Sequence, residues 1–117
     1  MPKTLIVIPT AGGIHEVTAA AAAAISRNPN VTLFIAKGRP HDYARNSAIR
    51  MFLNDPALKD HDRILFIDSD TEPPQDVVER MAALDKPVVT GCYPIVMTTG
   101  LCWALCRLDQ LGRYYCI

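Results

Sequence analysis

The sequence lacks both an excess of charge and a long apolar run, and each absence excludes a class of protein. Its 117 residues contain 12 Lys and Arg against 12 Asp and Glu, so no basic field attracts nucleic acid non-specifically. The uncharged apolar stretch at residues 17–25 is too short to cross a bilayer. Because no charged-then-apolar leader begins the sequence either, we expect a soluble cytoplasmic protein without a transmembrane segment or a nucleic-acid partner.

Cysteine is absent from the first three quarters of the sequence. The four cysteines occur at positions 92, 102, 106 and 116, and no two have CxxC spacing. Their neighbours are apolar and strand-like, a setting in which a free thiol behaves as a small hydrophobic side chain. We therefore expect buried thiols rather than a secreted disulfide framework or a zinc site.

Short apolar runs alternate with segments of helical pattern along most of the chain. The predicted strands cover residues 4–8, 31–36, 63–67 and 87–91, and the predicted helices cover residues 14–27, 43–53 and 75–84. Asp42 is the expected cap of the second helix, whose apolar stripe is assigned to Ile49, Phe52 and Leu53. Successive strand–helix units predict an α/β fold: one domain, residues 1–117, with a mainly parallel sheet in a Rossmann-like, three-layer α/β/α arrangement.

The end of the chain has a different pattern. Residues 101–108 and 113–117 are separated by Asp109-Gln110-Leu111-Gly112, which predicts a C-terminal β-hairpin without an intervening helix. The terminal strand is apolar and would form a sheet edge. Because such an edge can pair with another chain, homo-oligomer formation through it is a further hypothesis.

Two carboxylates directly follow the third apolar run. Asp68-Ser69-Asp70 comes after Ile64-Leu65-Phe66-Ile67, so a buried strand delivers two acidic side chains to the lip of a sheet, where open α/β proteins bind ligands. The pair could simply cap the next turn, but two like charges so close together are relieved by a cation. We therefore favour a magnesium or manganese site, which in turn indicates a diphosphate-bearing substrate.

An ordered set of short motifs resembles the GT-A glycosyltransferases, in particular family-2-like enzymes. Residues 64–70 resemble their strand and DxD motif, and Asp42-Tyr43-Ala44-Arg45-Asn46 resembles the Ala-Arg-Asn element that precedes it. Ile8-Pro9-Thr10 is similar to the end of their first strand. Glu72-Pro73-Pro74 and residues 88–94 fit the downstream pattern, so the resemblance spans about residues 4–94.

The resemblance implies a donor site for a nucleoside-diphosphate sugar. Asp70 would bind the Mn²⁺ or Mg²⁺ that bridges the diphosphate, while Asp68 would contact the ribose or sugar or assist the metal, with Ser69 between them. The residues that would border the nucleotide base are Pro9, Thr10 and Ala11. Arg45 would add a phosphate contact; considered alone, it could equally pair with Asp42.

The sequence does not identify the rest of an enzyme. The acceptor-binding half of GT-A domains usually follows the region that stops here at Ile117, so the chain resembles a truncated or minimal form, and the acceptor is unknown. No general base can be chosen among Asp85, Asp109 and the three histidines. Each histidine is expected at the surface.

Two other functions fit parts of the sequence. One is a non-catalytic nucleotide- or metal-binding module or fragment. The other is a magnesium-dependent phosphatase similar to haloacid dehalogenases, which also places Asp-x-Asp after an apolar strand. That motif normally has Thr or Val two residues beyond its second Asp, where this chain has Glu72.

Overall fold

A computed structural model describes residues 2–38, 41–91, 94–97, 100–103, 106–108, 110–111 and 114–116. The chain divides into two compact units, Met1–Ala83 and Leu84–Ile117, and each is described by itself. The first unit is α/β, and it carries every residue that the sequence assigned to a functional site.

The first unit alternates strands and helices. Its elements are β1 (Lys3–Thr10), α1 (Glu16–Ile25), β2 (Val31–Lys37), α2 (His41–Asn54), β3 (His61–Phe66) and α3 (Val77–Ala83), with a 3₁₀ turn at Pro56–Leu58 before β3. The three predicted strands and three predicted helices of this unit are therefore confirmed, with ends that differ by a few residues.

The three strands form one parallel sheet in the order β2-β1-β3. The chain passes from β1 to β2 on one side and then crosses over β1 to form β3 on the other. Such a reversal of direction opens a crevice at the carboxyl ends of the two strands where it occurs, here β1 and β3. Topology alone thus marks the ends of β1 and β3 as the place for a ligand.

Strand β1 is the centre of the core and is buried on both faces. Ile6 and Ile8 pack on one face with Ala22 and Ile25 of α1 and with Val77 of α3. The alternate residues of β1 face the other side, where a second cluster contains Leu5, Val7, Ala36, Ala44, Ala48 and Leu58. A fully buried side chain of this size contributes about 1.5–3 kcal/mol, so β1 supplies much of the core against which the helices pack.

The buried stripe of α2 differs from the predicted one. Ala44 and Ala48 are fully enclosed, whereas Ile49 is 39% and Leu53 72% exposed. Of the predicted stripe only Phe52 packs against the core. The two alanines stand one turn apart and let the helix backbone approach the sheet closely, which turns the larger side chains to its flank. Asp42 lies inside the first turn of α2 rather than before it, so it is not the cap.

The second unit contains two antiparallel strand pairs. Strands β4 (Pro94–Met97) and β5 (Gly100–Trp103) pair with each other, as do β6 (Cys106–Leu108) and β7 (Tyr114–Cys116). The prediction of a fourth parallel strand at residues 87–91 was wrong. This segment is irregular and Val88 is 88% exposed, because apolar, β-branched residues form a strand only where a neighbouring strand offers a partner.

A polar cluster joins all three parallel strands at the amino end of the sheet. The ammonium of Lys3 lies 2.6 Å from one carboxylate oxygen of Asp60, and Nδ1 of His61 lies 3.0 Å from the other. Because the carboxylate can only accept, Nδ1 carries the proton, and Nε2 lies 2.8 Å from the hydroxyl of Thr32, which donates to it when the imidazole is neutral. The His61 side chain is only 6% exposed, which corrects its predicted place at the surface.

This cluster predicts how stability depends on acid. The hydrogen bond from Lys3, and then that from His61, hold the pKa of Asp60 below its ordinary value. A lowered pKa in the folded state means that the carboxylate stabilises the fold above about pH 4 and that this contribution is lost as the pH falls further. We expect Asp60→Asn to lower the melting temperature at pH 7 and to lower it less at pH 2, as measured by differential scanning fluorimetry.

Asp76→Asn is the control, since it makes the same change at an exposed carboxylate that lies 3.9 Å from Arg80, farther than Asp60 lies from Lys3. An equal loss of melting temperature for Asp60→Asn at pH 7 and pH 2 would contradict the prediction.

Candidate functional site

The ends of β1 and β3 form the carboxyl edge of the sheet, at the point where the strand order reverses. Strand β1 ends at Thr10, and the last backbone bond between the two strands runs from the Ile67 amide to the Val7 carbonyl, 2.9 Å. Beyond Ile67 the chain leaves the sheet as the carboxylate loop, residues 68–72. Asp68, Ser69 and Asp70 therefore stand beside the end of β1, as the apolar run before them predicted.

Two hydrogen bonds hold the end of β1 and the turn that follows it. The Thr10 hydroxyl donates to the Gly13 carbonyl at 2.7 Å, and the Thr10 carbonyl accepts from the amide of Gly38 at 3.1 Å. Pro9 and Thr10 are buried, and only Ala11 of the three predicted base-contact residues is half-exposed. Pro9 and Thr10 thus belong to the packed end of β1, and Ala11 is the one of the three that is partly open to solvent.

Helix α1 holds the carboxylate loop through two backbone carbonyls. The His15 amide donates to the Ser69 carbonyl at 2.9 Å, and the Thr18 hydroxyl donates to the Thr71 carbonyl at 2.7 Å. Thr18 is completely buried, so its hydroxyl needs a partner within the protein and finds it in the half-buried Thr71. The loop is therefore fixed by its main chain, and its carboxylates are left to interact with other groups.

The two carboxylates of the loop have different surroundings. Asp68 Oδ1 lies 3.1 Å from Nη2 of Arg45, an ion pair in which the side chains are 53% and 43% exposed. Asp70 is exposed, and it makes no hydrogen bond or ion pair with any residue that the structure describes. Arg45 pairs with Asp68 and not with Asp42, the alternative that the sequence left open. The enclosed Ala44 beside it brings this part of α2 against the sheet.

The donors at the carboxyl edge fit a hard divalent cation. Asp68, Asp70 and Arg45 together carry a net charge of −1, and the carboxylates offer the oxygen ligands that Mg²⁺ and Mn²⁺ prefer. Among residues 2–38, 41–91 and the shorter described segments, no group of three or more His, Cys, Asp and Glu side chains is arranged to hold a metal. A cation here would thus take its remaining ligands from water and from a substrate such as a diphosphate.

The structure brings together most of the predicted site and adds two residues to it. Arg45, Asp68 and Asp70 lie at one edge of the sheet. His15 and Thr18, which position the loop, were not identified from the sequence. Thr18 begins a run of alanines and its acceptor is 53 residues away, so no local pattern marks it as an anchor.

Comparison with known proteins adds no family to this description: no protein-family model, curated protein or solved structure matches the chain. Among the helices that the structure describes, none has both the length and the apolar character required to cross a membrane. Function must therefore be inferred from the chemistry of the carboxyl edge.

The anchoring of the loop by Thr18 can be tested without any ligand. We expect Thr18→Val, which keeps the shape and removes the donor, to lower the free energy of unfolding by about 1 kcal/mol. It should also speed amide hydrogen exchange in a peptide covering residues 68–72. Thr18→Ser retains the hydroxyl and should restore slow exchange in that peptide. Equal exchange in wild type and Thr18→Val would show that the bond does not hold the loop.

Proposed function

We propose that this chain is the donor-binding part of a metal-dependent glycosyltransferase of the GT-A type, with a Rossmann-like, three-layer α/β/α arrangement. Its substrate would be a nucleoside-diphosphate sugar, and its cation Mn²⁺ or Mg²⁺. The sugar would be transferred to an acceptor that the residues of the site do not identify.

One observation carries the proposal: a two-carboxylate loop and a guanidinium meet at the carboxyl edge of the sheet, where β3 ends. Asp70 has no protein partner among the described residues, and Arg45 lies 3.1 Å from Asp68. A bound diphosphate carries several negative charges, which require both a cation and a guanidinium for compensation. The carboxyl edge provides the guanidinium of Arg45 and, beside it, two carboxylates that could bind the cation.

The residues of the site have separable tasks in this proposal. Asp70 holds the cation, and Asp68 faces the same region from the start of the loop. Arg45 binds the diphosphate, for which its planar set of donors is well suited. A cation bound here supplies electrostatic stabilisation of the charge that develops on a departing nucleoside diphosphate. Helix α1 keeps the loop in place through the Ser69 and Thr71 carbonyls, so the carboxylates need little rearrangement on binding.

Binding of metal and nucleotide is the direct test. Calorimetric titrations would use UDP, GDP, ADP and CDP, each with and without MnCl₂. We expect at least one of them to bind only when Mn²⁺ is present. Asp70→Asn, which removes the charge and keeps the size, should weaken this binding at least about tenfold.

Asp62→Asn is the matched control because it makes the same charge change at the opposite end of β3, where Asp62 is exposed. It should bind like wild type. Absence of metal-dependent binding of all four nucleotides to the wild-type chain would rule out the proposed site, and equal losses in Asp62→Asn and Asp70→Asn would show that the effect is not local.

Turnover separates the remaining alternatives once binding is established. Slow hydrolysis of a matching nucleotide sugar to free sugar and nucleoside diphosphate, absent in Asp70→Asn, would show that the chain activates the donor. Binding without hydrolysis or transfer would instead favour the non-catalytic binding module. Release of inorganic phosphate from a phosphomonoester, without a requirement for nucleotide, would favour the phosphatase.

A further inference from the structure

Arg45 forms an ion pair with one of the two carboxylates that would bind the proposed cation. Its Nη2 lies 3.1 Å from Oδ1 of Asp68, and Asp68 is its one charged partner within the described residues. We infer that Arg45 is a counterion that exchanges partners: it pairs with Asp68 in the free protein and moves to the diphosphate when that ligand binds. This inference rests on the proposed function and adds that metal and diphosphate bind cooperatively.

The exchange is physically easy because the ion pair is in contact with water. Arg45 is 43% and Asp68 53% exposed, and exposed pairs of this kind contribute little to stability. The other nearby acid, Asp42, accepts a hydrogen bond from the amide of Tyr43. Since a diphosphate carries more charge than one carboxylate and offers several oxygens to the guanidinium, Arg45 gains a stronger partner by moving.

The same exchange changes what a cation encounters. While Arg45 is paired with Asp68, it cancels one of the two negative charges of the loop and covers Oδ1. A cation arriving alone then depends mainly on Asp70 and should bind weakly. Once Arg45 has moved to a diphosphate, both carboxylates are available, so each ligand strengthens the binding of the other by the same factor.

Neutralising Arg45 therefore has effects of opposite sign on the two ligands. With Arg45→Gln, we expect affinity for Mn²⁺ alone to rise about threefold to fivefold, because the competing positive charge is gone. Affinity for the nucleoside diphosphate in the presence of Mn²⁺ should fall about tenfold or more, because the phosphate contact is lost. A residue that merely supports the fold would weaken both when removed.

The experiment compares three variants with wild type. Mn²⁺ binding is measured by electron paramagnetic resonance, without nucleotide and then with the tightest-binding of UDP, GDP, ADP and CDP, after correction for the metal–nucleotide complex in solution. Arg50→Gln is the control, since it removes the same charge from an exposed position on the same helix. Arg45→Lys keeps the charge without the planar donor set, and its cooperativity should lie between those of wild type and Arg45→Gln.

The exchange is supported if Arg45→Gln binds Mn²⁺ more tightly than wild type and the factor by which nucleotide and metal strengthen each other falls towards one. Unchanged or weaker Mn²⁺ binding in Arg45→Gln overturns it, as does an unaltered cooperativity factor, and in either case the proposed donor site can still stand. Failure of the wild-type chain to bind Mn²⁺ with any of the nucleotides would overturn both proposals together.

Discussion

The candidate site depends on one constraint, the attachment of the carboxylate loop to helix α1. Two acids a single residue apart repel each other, and a loop that carries them needs support that does not use up their charges. Here the support comes from the main chain: the carbonyls of Ser69 and Thr71 accept hydrogen bonds from His15 and Thr18. Because the backbone provides the attachment, the fold leaves the carboxylate of Asp70 unpaired among the described residues.

Small buried side chains let both α1 and α2 pack closely against the sheet near this loop. In α1 the buried positions are Thr18, Ala22 and Ile25, so the helix begins close to the loop and is anchored by its far end in the core. In α2 the enclosed Ala44 and Ala48 play the same part, and Arg45 follows directly after the first of them. The positions of the charged groups thus follow from the size of their uncharged neighbours.

Local patterns in the sequence were sufficient for much of this architecture and for part of the site. The continuous apolar runs identified both strands, of which β1 is buried on both faces and β3 is mostly half-buried, and the acids after Ile67 were correctly expected beside the sheet. The predictions that failed, and the contacts that were missed, depend on partners far along the chain. Residues 87–91 have strand-forming composition but pair with no strand among the described residues, and the contacts of Thr18 and Arg45 reach acceptors 53 and 23 residues away. No local pattern encodes such pairings.

The two ends of the sheet differ in how completely their charges are compensated. At the amino end Asp60 is shared between Lys3 and His61, and His61 is nearly enclosed and bonded at both ring nitrogens. Such a cluster has its charges compensated and little capacity left for a ligand. At the carboxyl edge one carboxylate is held only by an exposed arginine and the other by no described residue, so compensation is incomplete. A cation would relieve that deficit, and it lies at the end of the sheet where open α/β proteins in general bind their ligands.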